Sequence, residues 1–320
     1  MIYPSPDDIR NMSEKVITVR NLVKRYGDLK AVNGISFDVM RGEIFAFLGP
    51  NGAGKTTTVE VLECLRPFDE GEVKIFDMNL RERTSCREIR RRIGVLPQDF
   101  NAIDRLTVKE NIQLFADLYE RSLDIDELID LLGLREKAGK LFATLSGGLK
   151  RKVGIAAALV NDPEIVFLDE PTTGLDPKSR RDTWNIIREL KHRGKTIFLT
   201  THYMEEAQEL ADNIAIIVKG RIVARGSPRE LIDKYAEGMT LRIYGSTKRV
   251  ADMLRISGIS VEEEDGKIIA RSEDPRLLME ITASIIRKEA NVRFEIVSGS
   301  LENVFLKLLS AKITEEGELR

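Results

Sequence analysis

The chain has 320 residues, 42% hydrophobic and 32% charged, which predicts a buried core beneath a charged surface. Its net charge of −2 gives no support to nucleic-acid binding, and its two cysteines, Cys64 and Cys86, lack the spacing of a zinc site or a disulfide framework. No apolar run approaches the roughly 18 residues that span a bilayer, and the start lacks the apolar core of a signal peptide. We therefore expect a cytoplasmic protein that only a partner could hold at a membrane.

Strands alternate with helices along the first 220 residues. The predicted strands are 16–19, 35–39, 43–48, 164–168, 196–199 and 214–218. The predicted helices are 54–65, 178–193 and 203–211, with helical periods throughout 105–161. This alternation predicts the α/β fold class, with a mostly parallel sheet covered by helices on both faces.

The pattern changes after a short hairpin strand at 220–226 and a helix that ends near Gly238. The next elements follow the order βαββαβ, which predicts a small α+β domain of the ferredoxin-like type with a tight turn at Asp265-Gly266. A last helix over 301–309 carries Leu301, Val304, Phe305 and Leu308 at helical spacing. We therefore predict four segments, which are a lead at 1–15, a larger α/β domain at 16–238 with a helical subdomain at about 100–161, an accessory domain at 239–310 and a tail at 311–320.

The segment "GPNGAGKTT" matches the phosphate-loop pattern G-x-x-x-x-G-K-[ST] between a predicted strand and a predicted helix. Its glycines let backbone N–H groups turn toward phosphates, and the helix N-terminus adds positive potential. Lys55 can reach the β- and γ-phosphates of ATP, and the Thr56 hydroxyl can bind Mg²⁺. The predicted phosphate-binding residues are Gly49, Pro50, Asn51, Gly52, Ala53, Gly54, Lys55, Thr56 and Thr57.

A second motif, "IVFLDE", places two carboxylates at the end of a buried strand. Beside a phosphate loop, Asp169 can hold Mg²⁺, usually through water, and Glu170 can orient or deprotonate the attacking water. Acidic residues also often begin loops, so the functional interpretation of this motif depends on the phosphate loop beside it. Together the two motifs predict an ATPase that uses ATP and Mg²⁺.

Further motifs resemble those of ATP-binding-cassette (ABC) ATPases. The segment "LSGGLKRK", about twenty residues before the acidic strand, resembles the family's signature motif. Other matching residues occur in the family's order, and together the motifs cover 16 to about 226. They are Tyr26 in "KRYG", Gln98 in "VLPQD", Asp176 in "GLDP" and His202 in "LTTHYMEEA".

The resemblance implies that two subunits share each ATP. Ser146 and the N–H groups of Gly147 and Gly148, at a helix start, would meet the γ-phosphate of ATP bound to the opposite subunit. Asp176 would act across the same interface. The implied partner is a second ATPase subunit, as in a homodimer.

The remaining matched residues would act on the chain's own nucleotide. Tyr26 would stack on adenine, His202 would contact the γ-phosphate, and Gln98 would sense Mg²⁺ and water and report to a membrane partner. One departure is Leu149, which stands where the signature motif most often has glutamine. Since leucine cannot donate the amide's hydrogen bonds, this substitution leaves the detail of the shared site open but retains the serine and glycines.

Three functions fit the resemblance. The segment "GRIVARGSP" and the small domain ending in "SLENVFLKLL" resemble exporter ATPases of the ABC-2 type, which act peripherally on the inner membrane face through a separate membrane-spanning permease. The cargo could be a drug, lipid, polysaccharide or ion. The alternatives are an importer ATPase and a soluble ABC ATPase not tied to transport; a small-molecule kinase would not need the signature motif.

The basic segment 81–92 is interpreted as a solvated helical face.

Overall fold

The structure is a computed structural model that describes residues 14–236, 239–245, 248–264, 267–272, 274–288, 292–297 and 299–316. The chain forms two compact units, the first ending at Pro228 and the second beginning at Arg229. Most of the predicted lead, the predicted boundary at Gly238, the Asp265-Gly266 turn and the last four residues lie outside the described residues. No described helix has the length and apolarity needed to cross a bilayer.

In the described part of the first unit there are ten strands, and eight α-helices begin there. The strands are β1 (Lys15–Tyr26), β2 (Leu29–Met40), β3 (Ile44–Leu48), β4 (Glu70–Ile75), β5 (Met78–Asn79), β6 (Ile93–Leu96), β7 (Ile165–Asp169), β8 (Thr196–Thr201), β9 (Asn213–Val218) and β10 (Arg221–Gly226). The helices are α1 (Lys55–Leu62), α2 (Arg83–Arg92), α3 (Val108–Ala116), α4 (Ile125–Leu131), α5 (Gly147–Leu159), α6 (Pro177–His192), α7 (Met204–Leu210) and α8 (Pro228–Tyr235).

The central sheet has six strands in the order β10-β9-β3-β8-β7-β6. All neighbours are parallel except the hairpin β9–β10, which confirms the mostly parallel sheet. Strands β3 and β7 flank β8, and in this register Leu48 pairs with Thr201 while Asp169 pairs with Thr200. The carboxyl ends of three neighbouring strands therefore meet at one edge, where α/β proteins bind their ligands.

A second sheet was not predicted. Strands β1 and β2, each twelve residues long, pair antiparallel and continue through β4 to β5 in the order β2-β1-β4-β5. The sequence prediction identified only the first part of β1, at 16–19, and the last part of β2, at 35–39, and it missed β4 and β5 as well as β6 of the central sheet. These strands escaped notice because charged residues and bulges interrupt the alternation, as at the irregular pairing between Val19 and Leu22.

Aromatic packing joins the two sheets. Phe37 of β2 stacks on Phe45 of β3, with ring centroids 5.4 Å apart. Phe198 contacts both of these rings, Phe47 contacts Phe37, and Phe167 packs against Phe198. All five rings are fully buried. A separate apolar cluster joins α3, α4 and α5 to the other face of the central sheet, which fixes the start of α5 relative to the strand ends.

The second unit follows the predicted βαββαβ order. Its elements are β11 (Met239–Tyr244), α9 (Lys248–Ile256), β12 (Ser260–Glu264), β13 (Lys267–Ser272), α10 (Pro275–Lys288), β14 (Arg293–Val297) and α11 (Leu301–Glu316). The strand order β12-β13-β11-β14, antiparallel throughout, is that of a ferredoxin-like sheet. Leu301, Val304 and Phe305 of α11 are buried as their spacing predicts, but this helix continues to Glu316, past its predicted end at Leu309.

Candidate functional site

The phosphate loop joins β3 to α1 at the ligand-binding edge. Its backbone is tied on both sides, because Gly49 N donates to Thr201 O (3.3 Å) and Gly220 N donates to Ala53 O (2.9 Å). Gly52 and Gly54 have positive φ angles of 76° and 103°, which favour glycine. A Cβ on Gly54 would lie 2.3 Å from Ala31 O, so this position also needs glycine for space.

The first N–H groups of α1 have no acceptor within the helix, since the intrahelical bonds begin with Thr58 N donating to Gly54 O (3.0 Å). Thr56, in this first turn, is exposed. The turn therefore presents free backbone donors and a hydroxyl at the positive end of a helix, which suits a phosphate.

Lys55 lies at the centre of the site. Its Nζ atom donates to Gly49 O (2.8 Å) and Pro50 O (3.2 Å), and it lies 3.4 Å from Oε1 of Glu170. Both side chains are buried. A buried ammonium held by neutral carbonyls and one carboxylate can exchange these partners for phosphate oxygens.

Glu170 is held between Lys55 and His202. Its Oε2 accepts from the Thr173 hydroxyl (3.0 Å) and lies 3.0 Å from His202 Nδ1, a close contact without hydrogen-bond alignment. Burial opposes ionisation of Glu170, but His202 and Thr173 outweigh it and hold the pKa of this carboxyl below its ordinary value. The backbone of Glu170 has a φ of 47°, a strained angle of a kind that clusters at functional sites.

Asp169 has a different environment. Its Oδ1 accepts from the Thr200 hydroxyl, and burial, reinforced by Glu170, raises its pKa. Thr200 also fixes the backbone of Glu170, because the Thr200 hydroxyl and carbonyl oxygens both accept from Glu170 N (3.1 Å each). The two adjacent carboxyls thus have pKa values shifted in opposite directions, which suits a cation ligand beside an ionised base.

The oxygen donors at this edge fit Mg²⁺. They comprise the Asp169 carboxyl, the exposed Thr56 hydroxyl and the exposed Gln98 amide. Within the described part of the chain, no three His, Cys, Asp or Glu residues group as a metal site. One carboxylate with a hydroxyl and substrate phosphates is the usual magnesium ligand set, because Mg²⁺ keeps water and seldom occupies an all-protein cage.

Arg151 was not identified from the sequence, yet it connects three parts of the site. Its guanidinium donates to the backbone oxygens of Pro171 (2.9 Å), Asp169 (2.6 Å), Pro97 (3.0 Å) and Gln98 (3.1 Å). Burial lowers its pKa to about 10, so it stays charged at neutral pH. The sequence offers no local signal for this role, because Arg151 lies between Lys150 and Lys152 and nothing distinguishes it from them.

Ser146, Gly147 and Gly148 open α5 as predicted. Ser146 Oγ caps the helix weakly, accepting from Leu149 N at 3.5 Å. Ser146 and Gly147 are exposed, and no hydrogen bond among the described residues joins Ser146 to Lys55 or Glu170. Leu149 packs partly buried against the apolar cluster of the helical region, which explains how leucine is accommodated in place of an amide.

Asp176 caps the neighbouring helix α6. Its carboxylate accepts from Lys178 N (3.0 Å), Ser179 N (3.1 Å) and the Ser179 hydroxyl (2.6 Å), and these bonds lower its pKa. A Cβ on Gly148 would lie 2.5 Å from Ser179 Oγ, so the starts of α5 and α6 touch closely. The residues predicted to act across a dimer therefore form a second, exposed cluster.

Tyr26 ends β1 and is 41% exposed. Arg66 and Lys24 flank its ring, with their charged groups 5.7 Å and 5.5 Å from the ring centroid. An exposed ring between cations can stack on a flat aromatic ligand, as the sequence predicts for adenine.

Glu206 was also missed. It is fully buried, accepts from the Thr172 hydroxyl (2.7 Å) and the Trp184 indole (3.0 Å), and its Oε2 has no hydrogen-bond partner. Burial raises its pKa. Because Thr172 follows Glu170 and Glu206 follows His202, this contact joins the loops that carry both residues.

Comparisons with known proteins agree with this geometry. A sequence model described as "ABC transporter" matches residues 32–173. The chain is 38% identical to the Nod factor export ATP-binding protein I of Burkholderia orbicola (strain AU 1054), over 95% of this chain and 100% of the relative. It is also 38% identical to the protein of that name from Sinorhizobium fredii (strain NBRC 101917 / NGR234), over 96% of this chain and 89% of the relative.

Solved structures match about two thirds of the chain. The ATP-binding cassette MJ0796, a post-hydrolysis dimer bound to ADP and Pi, has a TM-score of 0.59 at 28% identity, covering 66% of this chain and 98% of that chain. The cbiO1 protein of Clostridium perfringens, part of a cbiONQ transporter complex, has a TM-score of 0.63 at 27% identity, covering 69% and 92%. Since relatives match almost the whole chain well above 30% identity, the chain belongs to the ABC transporter family as an ATP-binding subunit, and it is an ATPase.

Proposed function

We propose that this chain is the ATP-hydrolysing motor of a membrane exporter of the ABC-2 type. The observation that carries the chemistry is the convergence of Lys55, Glu170 and His202 within 3.4 Å contacts at the carboxyl ends of β3, β7 and β8. Export, rather than import, is supported by the relatives named for Nod factor export. Their match extends over 95% of this chain and so includes most of the second unit.

In the proposed mechanism, the first turn of α1 and Lys55 bind the β- and γ-phosphates of ATP, and Tyr26 stacks on adenine. Glu170, ionised because its pKa is low, accepts a proton from the attacking water, and His202 contacts the γ-phosphate from the opposite side of the carboxylate. Thr56, Gln98 and Asp169 would hold Mg²⁺, which neutralises phosphate charge when bound.

The proposed working unit is a dimer of this chain. Ser146 and Gly147 present an exposed helix start, and among the described residues no hydrogen bond joins it to the chain's own Lys55 or Glu170, so a γ-phosphate bound to a second copy is the fitting ligand. Asp176 lies beside this helix start and would act across the same interface. Dimerisation would therefore complete each of two equivalent sites.

The proposed membrane partner is a separate permease subunit, which would hold the chain at the inner membrane face. The Gln98 loop is a candidate for coupling because Arg151 ties it directly to the strand end that carries Asp169 and Glu170. We propose residues 16–238 as the ATPase domain, with a helical subdomain at about 100–161, and 239–310 as an accessory domain that regulates turnover or dimerisation. The cargo would be bound by the permease.

The chemical proposal is tested by Glu170→Gln. Removing the base should cut ATP hydrolysis about 10²–10⁴-fold while leaving ATP binding through Lys55 and Tyr26 intact. Phosphate release and the affinity of a fluorescent ATP analogue are measured on the full chain, with Glu205→Gln on the exposed face of α7 as the control. Wild-type turnover by Glu170→Gln would disprove the assignment of this carboxylate.

The dimer is tested by adding Ser146→Arg to the Glu170→Gln variant. Glu170→Gln alone should accumulate as an ATP-bound dimer, and a bulky cation at the exposed helix start should abolish that dimer without weakening ATP binding. Light scattering with and without ATP measures the association. Persistent ATP-dependent dimers in the double variant would show that this helix start lies outside the interface.

A further inference from the structure

The plane of the His202 imidazole is not fixed by a hydrogen bond. Its Nδ1 atom is buried and lies 3.0 Å from Oε2 of Glu170, but the two groups are not aligned for hydrogen bonding. The last side-chain torsion of histidine has a broad energy minimum, so an imidazole held by no aligned hydrogen bond can rotate about that bond. A contact from this ring to a γ-phosphate therefore needs another group that fixes the plane of the imidazole.

Tyr203 provides a ring contact to His202. The centroids of the two rings are 4.1 Å apart, with 40° between their planes. The backbone of Tyr203 is held without help from its side chain, because its N–H donates to the Thr201 hydroxyl (3.0 Å). The Tyr203 side chain is half-buried and makes no capping hydrogen bond at the start of α7. Its ring is therefore free to orient the imidazole rather than to shape the loop.

Arg180 of α6 holds the Tyr203 ring in turn. The Cζ atom of Arg180 lies 5.2 Å from the centroid of the tyrosine ring. The face of an aromatic ring attracts a guanidinium, and the attraction is stronger where water is partly excluded. The Arg180 side chain is only 26% exposed. The contact therefore restrains the Tyr203 ring from an element other than its own loop.

The guanidinium of Arg180 has weak alternatives to this ring. Its Nε atom is buried and has no hydrogen-bond partner within the described part of the chain. Its ion pair with Glu205 is 3.5 Å long and ends on an exposed carboxylate, so it contributes little. The charge of Arg180 also opposes the rise in pKa that burial causes at Glu206. Arg180 is thus drawn toward the interior of the site, where it packs on Tyr203.

The contacts of Tyr203 are made by its ring and not by its hydroxyl. Among the described residues the hydroxyl forms no hydrogen bond, whereas the ring contacts both His202 and Arg180. Phenylalanine would keep both contacts, and leucine would lose the flat face that each of them uses. This difference separates an orienting ring from a side chain that merely fills space.

We propose that Tyr203, held by Arg180, is a positioning residue that fixes the plane of the His202 imidazole toward the γ-phosphate of ATP. The inference rests on the proposed function, since it assigns to His202 the contact with the γ-phosphate. Neither Tyr203 nor Arg180 touches the nucleotide in this arrangement. Their loss should therefore lower kcat while the phosphate loop and Lys55 still bind ATP.

The test compares Tyr203→Leu, Tyr203→Phe, His202→Ala and the double variant His202→Ala/Tyr203→Leu on the full chain with ATP and Mg²⁺. Phosphate release gives kcat and KM, displacement of a fluorescent ATP analogue gives the affinity for ATP, and thermal melting reports folding. Arg180→Gln is included because it removes the cation without changing the loop, so the proposal can still be tested if Tyr203→Leu folds poorly.

The chain offers a matched control for each substitution. Tyr235→Leu removes a half-buried ring that also has a cation over it, with Lys234 Nζ 5.1 Å from the centroid. Arg181→Gln removes the same charge at the next position of α6, where the side chain is exposed. Both controls should hydrolyse ATP within about twofold of the wild type.

Tyr203→Leu should lower kcat about 10–10²-fold and change KM by less than about threefold, since a displacement of about 1 Å can cost about 10²-fold in rate. Tyr203→Phe should retain at least about a third of the wild-type kcat, and Arg180→Gln should lose about 3–10-fold. The double variant should match His202→Ala within about twofold, because a residue that acts only through His202 has no further effect once the imidazole is gone.

Three results would overturn the proposal. They are a wild-type kcat in Tyr203→Leu or Arg180→Gln, equal losses in Tyr203→Phe and Tyr203→Leu, and a double variant in which the two single losses multiply. Losses of the same size in Tyr235→Leu or Arg181→Gln would also refute it, since the effect would not depend on the contact with His202. Wild-type hydrolysis by His202→Ala would instead refute the proposed role of His202 itself.

Discussion

Arg151 offers the sharpest test of how the site is held together. Its guanidinium joins the Gln98 loop to the strand end of Asp169 and to Pro171 through four backbone carbonyls. Arg151→Met keeps a long apolar side chain but removes every donor. Arg151→Lys keeps the charge but concentrates it at one point, which cannot reach carbonyls on separate loops.

The size of the effect follows from the burial of these bonds. The two bonds to Pro171 and Asp169 are partly buried, whereas water can replace those to Pro97 and Gln98. A hydrogen bond from a charged donor contributes roughly 1.5–3 kcal/mol, so Arg151→Met should cost roughly 3–6 kcal/mol of unfolding free energy. In a unit of this size that lowers Tm by roughly 6–24 °C, and Arg151→Lys should lose about half as much.

Activity should change with a distinct signature. Among the described residues, no hydrogen bond joins Arg151 to Lys55 or Tyr26, so the affinity for ATP should be retained while kcat falls about 10²-fold from misplaced Gln98 and Asp169. Thermal melting, phosphate release and analogue binding are compared with Lys152→Met, whose ion pair with Asp182 is 3.9 Å long and contributes less than about 1 kcal/mol. A Tm and kcat unchanged in Arg151→Met, or equal losses in Lys152→Met, would refute the reasoning.

Three further outcomes follow from buried carboxyls and from the second unit. Glu206→Ala should destabilise the chain by roughly 2–6 kcal/mol, because it leaves the buried Thr172 hydroxyl and Trp184 indole N–H without an acceptor. Glu206→Gln and the exposed control Glu205→Gln should melt close to the wild-type temperature. Burial raises the pKa of Glu63 to about 8, so the folded state holds a proton that the unfolded state has released. Without nucleotide and magnesium, raising the pH from about 4.5 to about 8 should therefore lower the stability of the wild type by roughly 3–5 kcal/mol more than that of Glu63→Gln. A chain ending at Gly238 should bind ATP normally but change its self-association or its permease-coupled turnover, and identical values in all three assays would leave the second unit as a stabilising appendage.

The elements that could be predicted from the sequence are those encoded by local patterns of residues. The phosphate loop, the buried strand before Asp169 and the βαββαβ order all depend on residues close together in the chain, and the structure confirms these elements. The antiparallel sheet of β1, β2, β4 and β5 was missed because its pairing is between distant segments and its strands carry charge. Arg151 and Glu206 were missed for a related reason, since nothing local shows which charged residue the tertiary fold will bury.

Arg151 and Glu206 have a similar role in the site, since each connects separate segments of the chain. Lys55, Asp169 and Glu170 sit on rigid elements, but His202, Gln98 and the start of α6 sit on loops that could move independently. Arg151 ties the Gln98 loop to the strand end at Asp169, and Glu206 of α7 ties the loop at Thr172 to Trp184 of α6. A site that must respond to a second subunit and a permease needs loops that shift together rather than singly. Buried polar connectors supply that coupling, because breaking any one contact leaves an unpaired group whose cost opposes separate movement.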